Sequence, residues 1–313
     1  MEETKMSGIN TNRTNLELPG DVSSEIIQKT QEESAVMRLA RKVNLPGRGV
    51  TIPMITGDPE ASWVDETDQK PVSNPSLDKK VMKAYKLAVI VPFSDEFARD
   101  YKALYDALVS RLPGALAKKY DHTVFHGATP GTGFEVLTSC SAQSIDTNAS
   151  GEGGIYKALV AADVDIAAHD GNINGFAFSP QARGELLSAL DRDGRPIFIN
   201  NVAEGTIPRL LGQPVYYSKG MYAAGNAASG SSGQTGYVAA KPDVLGFAGD
   251  WTKAMYGTVE GVKIDITNQA TLTIGTGMVN LWQNNMFAVK AEIEVGFVAD
   301  ASCFNKIVRT HTA

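Results

Sequence analysis

Two stretches of the chain, residues 81–91 and 287–297, place apolar side chains at alternate positions. In the second stretch these positions alternate with charged residues such as Lys290, Glu292 and Glu294. A period of two predicts β-strands with one buried face. Each strand would be about twelve residues long, whereas five or six residues are usual.

The first of these strands follows a segment that predicts a hairpin arm. Residues 50–55 and 61–64 are predicted to be short extended pieces, and residues 65–80 form a polar tip that contains two prolines. Strands of this length outrun the core of their own domain, so we expect the tip to lie on a neighbouring copy of the chain. The residues expected to make this inter-subunit contact are Trp63, Asp65, Glu66, Lys70, Lys79 and Lys80.

Residues 94–126 carry the longest helical pattern. Ser94 can cap such a helix, and a helix of about 30 residues would be about 45 Å long. Pro113-Gly114 should kink it, because proline removes a backbone donor and clashes with the preceding turn. Apolar residues recur at three- and four-residue steps and predict one continuous core stripe: Phe97, Tyr101, Leu104, Leu108, Leu112, Leu116 and Tyr120.

The rest of the chain predicts shorter elements. Residues 1 to about 22 are predicted to be an unstructured polar segment, followed by a short helix that Ser24 caps and Pro46 ends. Further helices are predicted over residues 155–168 and from Ser179-Pro180, where proline takes the first helical position. The remaining predictions are strands at 175–178, 197–199, 215–217, 244–247 and 262–266, and a flexible loop at 225–236. The pattern therefore predicts an α+β protein with one elongated layer and one compact central module.

Composition and charge exclude several functional classes. The chain is 43% hydrophobic and 20% charged, which is typical of a globular protein, and no run of about 20 apolar residues could span a membrane. The net charge is −6 with acidic and basic residues interspersed, which argues against a dedicated nucleic-acid-binding surface. Cys140 and Cys303 lie far apart in the sequence and are predicted to be buried free thiols.

Candidate chemistry is sparse. His122 and His126 have metal-ligand spacing, but Thr123 stands where a zinc protease would need glutamate. Two glycine-rich segments, 127–133 and 275–277, lack the Lys-Ser/Thr pair of a phosphate-binding loop and are predicted to be turns. Trp63 with Asp65 and Glu66 could form a carbohydrate-binding or acid–base cluster, but a contact surface fits their place in a hairpin better. We therefore predict no catalytic residue, no metal and no cofactor.

Several local sequences, taken in order, resemble one structural family. Residues 61–97, ASWVDETDQKPVSNPSLDKKVMKAYKLAVIVPFSDEF, are similar to an extended-loop hairpin that runs into a spine helix. Residues 178–198, 210–218 and 244–257 are similar to the helix, turn and later strands of a central domain, and residues 284–307 to a closing strand and tail. This order of parts resembles the Hong Kong 97-type major capsid proteins of tailed bacteriophages.

The resemblance implies a division of the chain and a structural role. The implied parts are an N-terminal arm (1–48), an extended loop (49–92), a peripheral domain with the spine helix (93–150 and 258–298) and an α/β axial domain (151–257 and 299–313). Such subunits form pentamers and hexamers that close into an icosahedral head around double-stranded DNA, which they enclose without reading its sequence. The implied location is the virion, after assembly in the host cytoplasm. Expected partners are a portal and decoration proteins. Because the arm helix is predicted within about 24 residues of Met1, the resemblance implies either a separate scaffolding protein or none, and we expect a separate one.

Three alternatives remain open at this point. An encapsulin uses the same fold to enclose a cargo enzyme instead of a genome. An unrelated enzyme or carbohydrate-binding protein would be a monomer or a small oligomer. Covalent cross-linking between subunits occurs in a minority of the resembled family, and Lys70, Lys79, Lys80 and Asn305 are the residues of this chain that could be considered for it.

Overall fold

The computed structural model describes residues 33–47, 49–57, 61–65, 69–70, 72, 76–100, 108–146, 154–190, 197–198, 209–229, 238–274 and 277–311. Its helices are α1 Ala35–Leu39, α2 Asp95–Asp100, α3 Leu112–Phe125, α4 Ile155–Ala168 and α5 Pro180–Ser188. Its strands are β1 Arg41–Asn44, β2 Val50–Gly57, β3 Ser76–Met82, β4 Tyr85–Ser94, β5 Ser141–Ser144, β6 Gly175–Phe178, β7 Arg209–Leu210, β8 Gln213–Tyr217, β9 Asp243–Gly249, β10 Ala254–Thr258, β11 Lys263–Thr267, β12 Thr271–Ile274, β13 Gly277–Asn280, β14 Met286–Ala299 and β15 Phe304–Arg309. The predicted helix start at Ser24 lies outside the described residues.

The first sheet is built around β14, the long closing strand that the sequence predicted. One edge of β14 pairs antiparallel with β4, and the other edge pairs antiparallel with β11 and β10; β1 then adds parallel to β10. The charged residues of β14 lie on its more exposed face, where Lys290 Nζ is 2.8 Å from a carboxylate oxygen of Asp265 and Lys86 Nζ is 3.1 Å from one of Glu294. Period-two alternation therefore located this strand correctly.

The second sheet has six strands in the order β5-β15-β9-β6-β8-β7. One face carries Phe176 and Phe178, which pack with Leu159 and other buried residues of α4 and α5. The opposite face carries Phe247, whose ring lies 4.6 Å from that of Phe125 in α3, measured between centroids. The helix α3 therefore packs in one continuous core between the second sheet and β14.

Two hairpins stand apart from these sheets. The hairpin β2–β3 pairs antiparallel from Val50 opposite Met82 to Gly57 opposite Ser76. The hairpin β12–β13 pairs antiparallel and has a small apolar cluster of its own beside β14. No helix among the described residues is long and apolar enough to cross a bilayer.

The prediction of one uninterrupted strand over residues 81–91 was wrong. Strand β3 ends at Met82 and β4 begins at Tyr85, because the fully buried Met82 packs on Leu45 and Val298 while the Lys83 N–H donates to the Gly133 carbonyl at 2.8 Å. The chain thus leaves the hairpin and enters the first sheet. The polar tip also ends earlier than predicted, since β3 begins at Ser76.

Three other predicted elements differ from the structure. Residues 61–64 form no strand, and residues 197 and 198 are bends rather than strand, with the Ile197 N–H donating to the Ala189 carbonyl. The loop predicted as flexible over 225–236 is paired in its described part, since Asn226 and Ser229 bridge across to Lys241 and Val238. Residues 230–236 lie outside the described residues.

The predicted long helix is also not one rod. Helix α2 ends at Asp100, and residues 108–109 are helical, but Ser110 and Arg111 form a turn before α3 begins at Leu112. Pro113 lies in the first turn of α3 instead of kinking a continuous helix. The missing N–H of proline costs nothing there, because the first helical N–H groups have no intrahelical partner.

Candidate subunit-contact site

We define the arm as β2, β3 and the described residues 61–65, 69–70 and 72 between them. Trp63 has a relative exposure of 105% and Val72 one of 86%, so both side chains project into solvent. Asp65 and Lys70 are also exposed. Leaving an indole in water forgoes the roughly 1.5–3 kcal/mol that burial of a large apolar side chain provides. The arm therefore presents the kind of side chain that anchors protein interfaces.

Lys80 connects the base of the arm to the rest of its own subunit. Its Nζ donates to Glu135 Oε2 at 3.0 Å and to the Ala299 carbonyl at 2.7 Å, while Glu135 Oε2 accepts the Ala299 N–H at 2.9 Å. These contacts join β3 to the end of β14. Lys79 is exposed, and Glu66 lies outside the described residues. Of the six residues predicted for inter-subunit contact, Lys80 thus uses its ammonium group inside its own subunit.

The predicted stripe of the spine helix is distributed over α2, the helical residues 108–109 and α3. Leu112 is buried in the main core, and Phe97 and Leu108 are half-buried against it. Tyr101 and Leu104 lie outside the described residues.

A buried carboxylate, Asp121 of α3, joins α1 to the segment after β8. It accepts hydrogen bonds from the Ser34 hydroxyl at 2.6 Å, the Ala35 N–H at 3.0 Å and the Ser218 hydroxyl at 2.9 Å. Burial raises the pKa of Asp121 from 3.8 to about 6, although these hydrogen bonds favour the ionised form and act in the opposite direction. The sequence analysis missed this residue. An isolated acid flanked by Ala117, Val124 and Phe125 on a buried helix face was the available signal.

Further exposed apolar side chains lie away from the arm. Three of them, Tyr156, Val160 and Val164, lie on α4. Leu211 lies in the turn between β7 and β8, Met278 in the β12–β13 hairpin and Trp282 in the turn that follows it. Single exposed apolar residues are ordinary, but grouped ones mark interaction sites. The sequence analysis did not identify these positions.

The groups considered for chemistry have structural partners. His126 Nε2 donates to the Met221 carbonyl at 2.6 Å, and burial lowers the pKa of His126 to about 4, so its ring is neutral. The segment 127–133 is a turn in which the Thr129 hydroxyl lies 2.8 Å from the Gly131 carbonyl, whereas residues 275–276 of the second glycine-rich segment lie outside the described residues. Within the described ranges, no group of three or more His, Cys, Asp or Glu residues could hold a metal ion.

The cysteines and Asn305 are also enclosed by the fold. Cys140 and Cys303 are both buried free thiols, as the sequence predicted. Asn305 is fully buried in β15, where its amide donates to Asp165 at 2.8 Å and its carbonyl oxygen accepts from Gln143 at 3.3 Å. An amide enclosed in this way is poorly placed to react with a lysine of another copy.

Comparison with known proteins finds capsid proteins over nearly the whole chain. The sequence is 27% identical over 291 residues to the "probable major capsid protein gp17" of Mycobacterium phage L5, covering 90% of this chain and 85% of the relative. A solved structure from Mycobacterium phage Cain superposes with a TM-score of 0.70 at 19% identity, covering 90% of this chain and 92% of that one. The capsid of a native GTA particle, computed with C5 symmetry, superposes with a TM-score of 0.63 at 15% identity, covering 97% and 94%.

The model of the phage capsid family matches residues 16–299. That span includes the arm, α3, the whole first sheet and every strand of the second sheet except β15. The chain therefore belongs to the phage capsid family.

Proposed function

We propose that this protein is a major capsid protein, a structural subunit that assembles with copies of itself into the closed head of a tailed phage. Family membership and the named relatives support a structural role. The observation that carries the mode of assembly is the arm, on which Trp63 and Val72 are exposed to solvent. A neighbouring copy that covers these side chains would complete the fold.

The finer architecture follows from the resemblance to Hong Kong 97-type subunits. We propose pentamers and hexamers in an icosahedral shell around double-stranded DNA, with a portal, decoration proteins and a separate scaffolding protein as partners. We also propose assembly in the host cytoplasm and a final place in the virion. One neighbour in the comparisons is a capsid computed with C5 symmetry, which supports five-fold rings for that fold.

Strand pairing changes some boundaries of the predicted division into arm, extended loop, peripheral domain and axial domain. Strand β4 pairs with β14, so residues 85–92 group with the peripheral sheet instead of the extended loop. Strand β10 also pairs with β14, whereas β5 pairs with β15 in the second sheet. We therefore propose that the peripheral domain centres on the first sheet and the axial domain on the second.

The encapsulin alternative is less favoured, because the relatives reported above are phage capsid proteins and a GTA capsid. The contents of purified particles distinguish the two. A phage head holds DNA once it is filled, whereas an encapsulin holds a cargo protein. An unrelated enzyme or a carbohydrate-binding protein is disfavoured by the family match itself.

Substitution of Trp63 tests the proposed role of the arm. Trp63→Ala should leave the subunit folded, because the Trp63 side chain contacts solvent. It should weaken the contact between subunits, and each 1.4 kcal/mol lost per contact raises the protein concentration needed for shell assembly about tenfold. Glu260→Ala, at an exposed turn before β11, is the matched control and should assemble like the wild type. Light scattering against concentration gives the comparison.

Limited proteolysis provides a second measurement of the same contact. The hairpin tip before β3, residues 65–75, should be cleaved in free subunits and protected in shells, because the neighbouring copy would cover it. Equal cleavage in both states, or normal assembly of Trp63→Ala, would contradict the proposed role of the arm.

A further inference from the structure

The outward face of α4 is unusually apolar for a helix on a protein surface. Of its eight exposed residues, only Lys157 and Asp163 are charged; the other six are Tyr, Val or Ala. Tyr156, Val160 and Val164 follow each other at four-residue steps, which places them in one stripe with relative exposures of 48%, 39% and 65%. We call these three residues the α4 stripe.

A helix with apolar residues on both faces is normally covered on both. The inward face of α4 is already buried, with Leu159, Ala162 and Ile166 fully enclosed against the second sheet. We therefore expect a second partner to cover the α4 stripe on the solvent-facing side of the helix.

A second unusual feature lies in the turn Leu211–Gly212 between β7 and β8. Both residues adopt positive φ, +48° at Leu211 and +80° at Gly212. The other described non-glycine residues with positive φ are Asp170 and Asn285, types that tolerate this conformation, whereas leucine does so rarely. Leu211 is also 45% exposed. Leu211 thus combines an unfavourable backbone conformation with an apolar side chain that is partly in solvent.

The two features lie toward opposite ends of the same sheet. The helix α4 packs over β5 and β15, and β5 is one edge of the six-stranded sheet. The turn at Leu211 belongs to β7, the other edge. When two unlike patches at opposite ends of a subunit bind each other, the contact is head to tail, and it forms a ring when the rotation between copies closes. A contact between like patches would instead end at a dimer.

We infer that the α4 stripe of one copy packs against the Leu211 turn of the next copy, head to tail around each ring of subunits. The inference rests on the proposed capsid function and adds to it a contact that is separate from the arm. The occupant of each patch is a second copy of this chain, because each copy carries one patch of each kind at opposite sheet ends.

Cross-linking of engineered cysteines tests the direction of the contact. Val164→Cys and Leu211→Cys place one thiol in each patch, and the natural Cys140 and Cys303 are buried, so a flexible bis-maleimide should react only with the new thiols. In assembled protein, the double variant should give a ladder that ends at the pentamer or hexamer. A mixture of the two single variants should stop at the dimer, and each single variant alone should stay monomeric.

Two cross-linking results would overturn the inference. Dimers from Val164→Cys alone would show that α4 meets α4. A double variant that remains monomeric within intact shells would show that the patches do not meet. If the wild type formed no shells at all, the proposed function would fail instead, so the two failures are distinguishable.

Leu211→Asn tests the same contact through two effects of opposite sign. Asparagine tolerates positive φ, so the melting temperature of the unassembled subunit should rise by about 2 °C. Assembly should nevertheless require about tenfold more protein, because the apolar contact is lost. Gly184→Ala in α5 is the control: it lies outside both patches and nothing lies within 4 Å of a Cβ at that position, so assembly should be unchanged. Unimpaired assembly of Leu211→Asn would refute the inference.

Discussion

Asp121 is the buried charge whose effect on stability can be predicted with both sign and size. Its carboxylate is fully buried, and desolvation raises its pKa from 3.8 to about 6 against the opposing effect of its hydrogen bonds. Because the pKa is higher in the folded chain than in the unfolded chain, folding takes up a proton between these two values. The contribution of Asp121 to stability is therefore greatest below about pH 4 and is lost as the pH rises through 6.

The size of this effect follows from the same two values. A pKa change from 3.8 to about 6 corresponds to about 3 kcal/mol, since each tenfold change in proton affinity is worth about 1.4 kcal/mol. Asp121→Asn keeps the shape of the protonated acid but does not titrate. The free energy of unfolding of the variant, relative to the wild type, should therefore increase by about 2 kcal/mol between pH 4 and pH 7, which is most of the full change.

Urea unfolding of unassembled subunits at several pH values measures this difference. Asp146→Asn serves as a control of opposite sign. Burial acts to raise the pKa of Asp146, but hydrogen bonds from Thr310 and Ser144 outweigh it and lower the pKa below its usual value. The stability of the wild type relative to this variant should therefore increase as the pH rises. If the relative stability of Asp121→Asn did not change with pH, or fell as the pH rose, desolvation would not be the dominant effect at this site.

Other substitutions test the packing and the base of the arm. Lys80→Met should cost about 1 kcal/mol and speed amide hydrogen exchange in β3, because the hydrogen bonds to Glu135 and to the Ala299 carbonyl are lost. Unchanged exchange would show that Lys80 does not hold the base of the arm. Gly249→Ala should lower the free energy of unfolding by about 3 kcal/mol in thermal unfolding, since its Cβ would overlap the Phe304 ring. Gly184→Ala, on the open face of α5, should raise it by about 1 kcal/mol. Equal effects of the two substitutions would contradict the packing. Cys140, whose pKa burial raises to about 11, should react with a thiol reagent at pH 8 only after unfolding, and rapid reaction of the folded subunit would contradict its burial.

Elements with a long, regular pattern were predictable from the sequence. Helix α4 has the predicted bounds, and β14 covers the predicted closing strand, because both pack one face against a core over many residues. The start of α5 was predictable as well, since Ser179 accepts the Ala182 N–H and Pro180 takes the first helical position. In these cases local preference and tertiary packing agree.

The elements that differ depend on contacts between distant residues. The break after Met82 is set by Gly133, whose carbonyl accepts the Lys83 N–H, and no local pattern near residue 82 reports this partner. The interruption at Ser110–Arg111 lies within an apolar period that continues through it, so periodicity alone could not reveal it. Only Pro113 indicated the position, and its effect was to begin a helix.

The candidate contact residues were predictable only in part. Trp63 was predicted to lie in a contact surface because it directly precedes the polar tip of the hairpin, residues 65–80. The α4 stripe was hidden because both faces of that helix are apolar, so sequence periodicity does not tell which face is covered. The conformation of Leu211 had no local signal beyond the glycine that follows it.

Cryo-electron microscopy of the purified protein under assembly conditions tests the proposed role as a shell subunit most directly. We expect closed icosahedral particles in which the segment around Trp63 of every copy is covered by a neighbouring subunit. A homogeneous population of single subunits under all assembly conditions, with the arm folded back on its own chain, would contradict it.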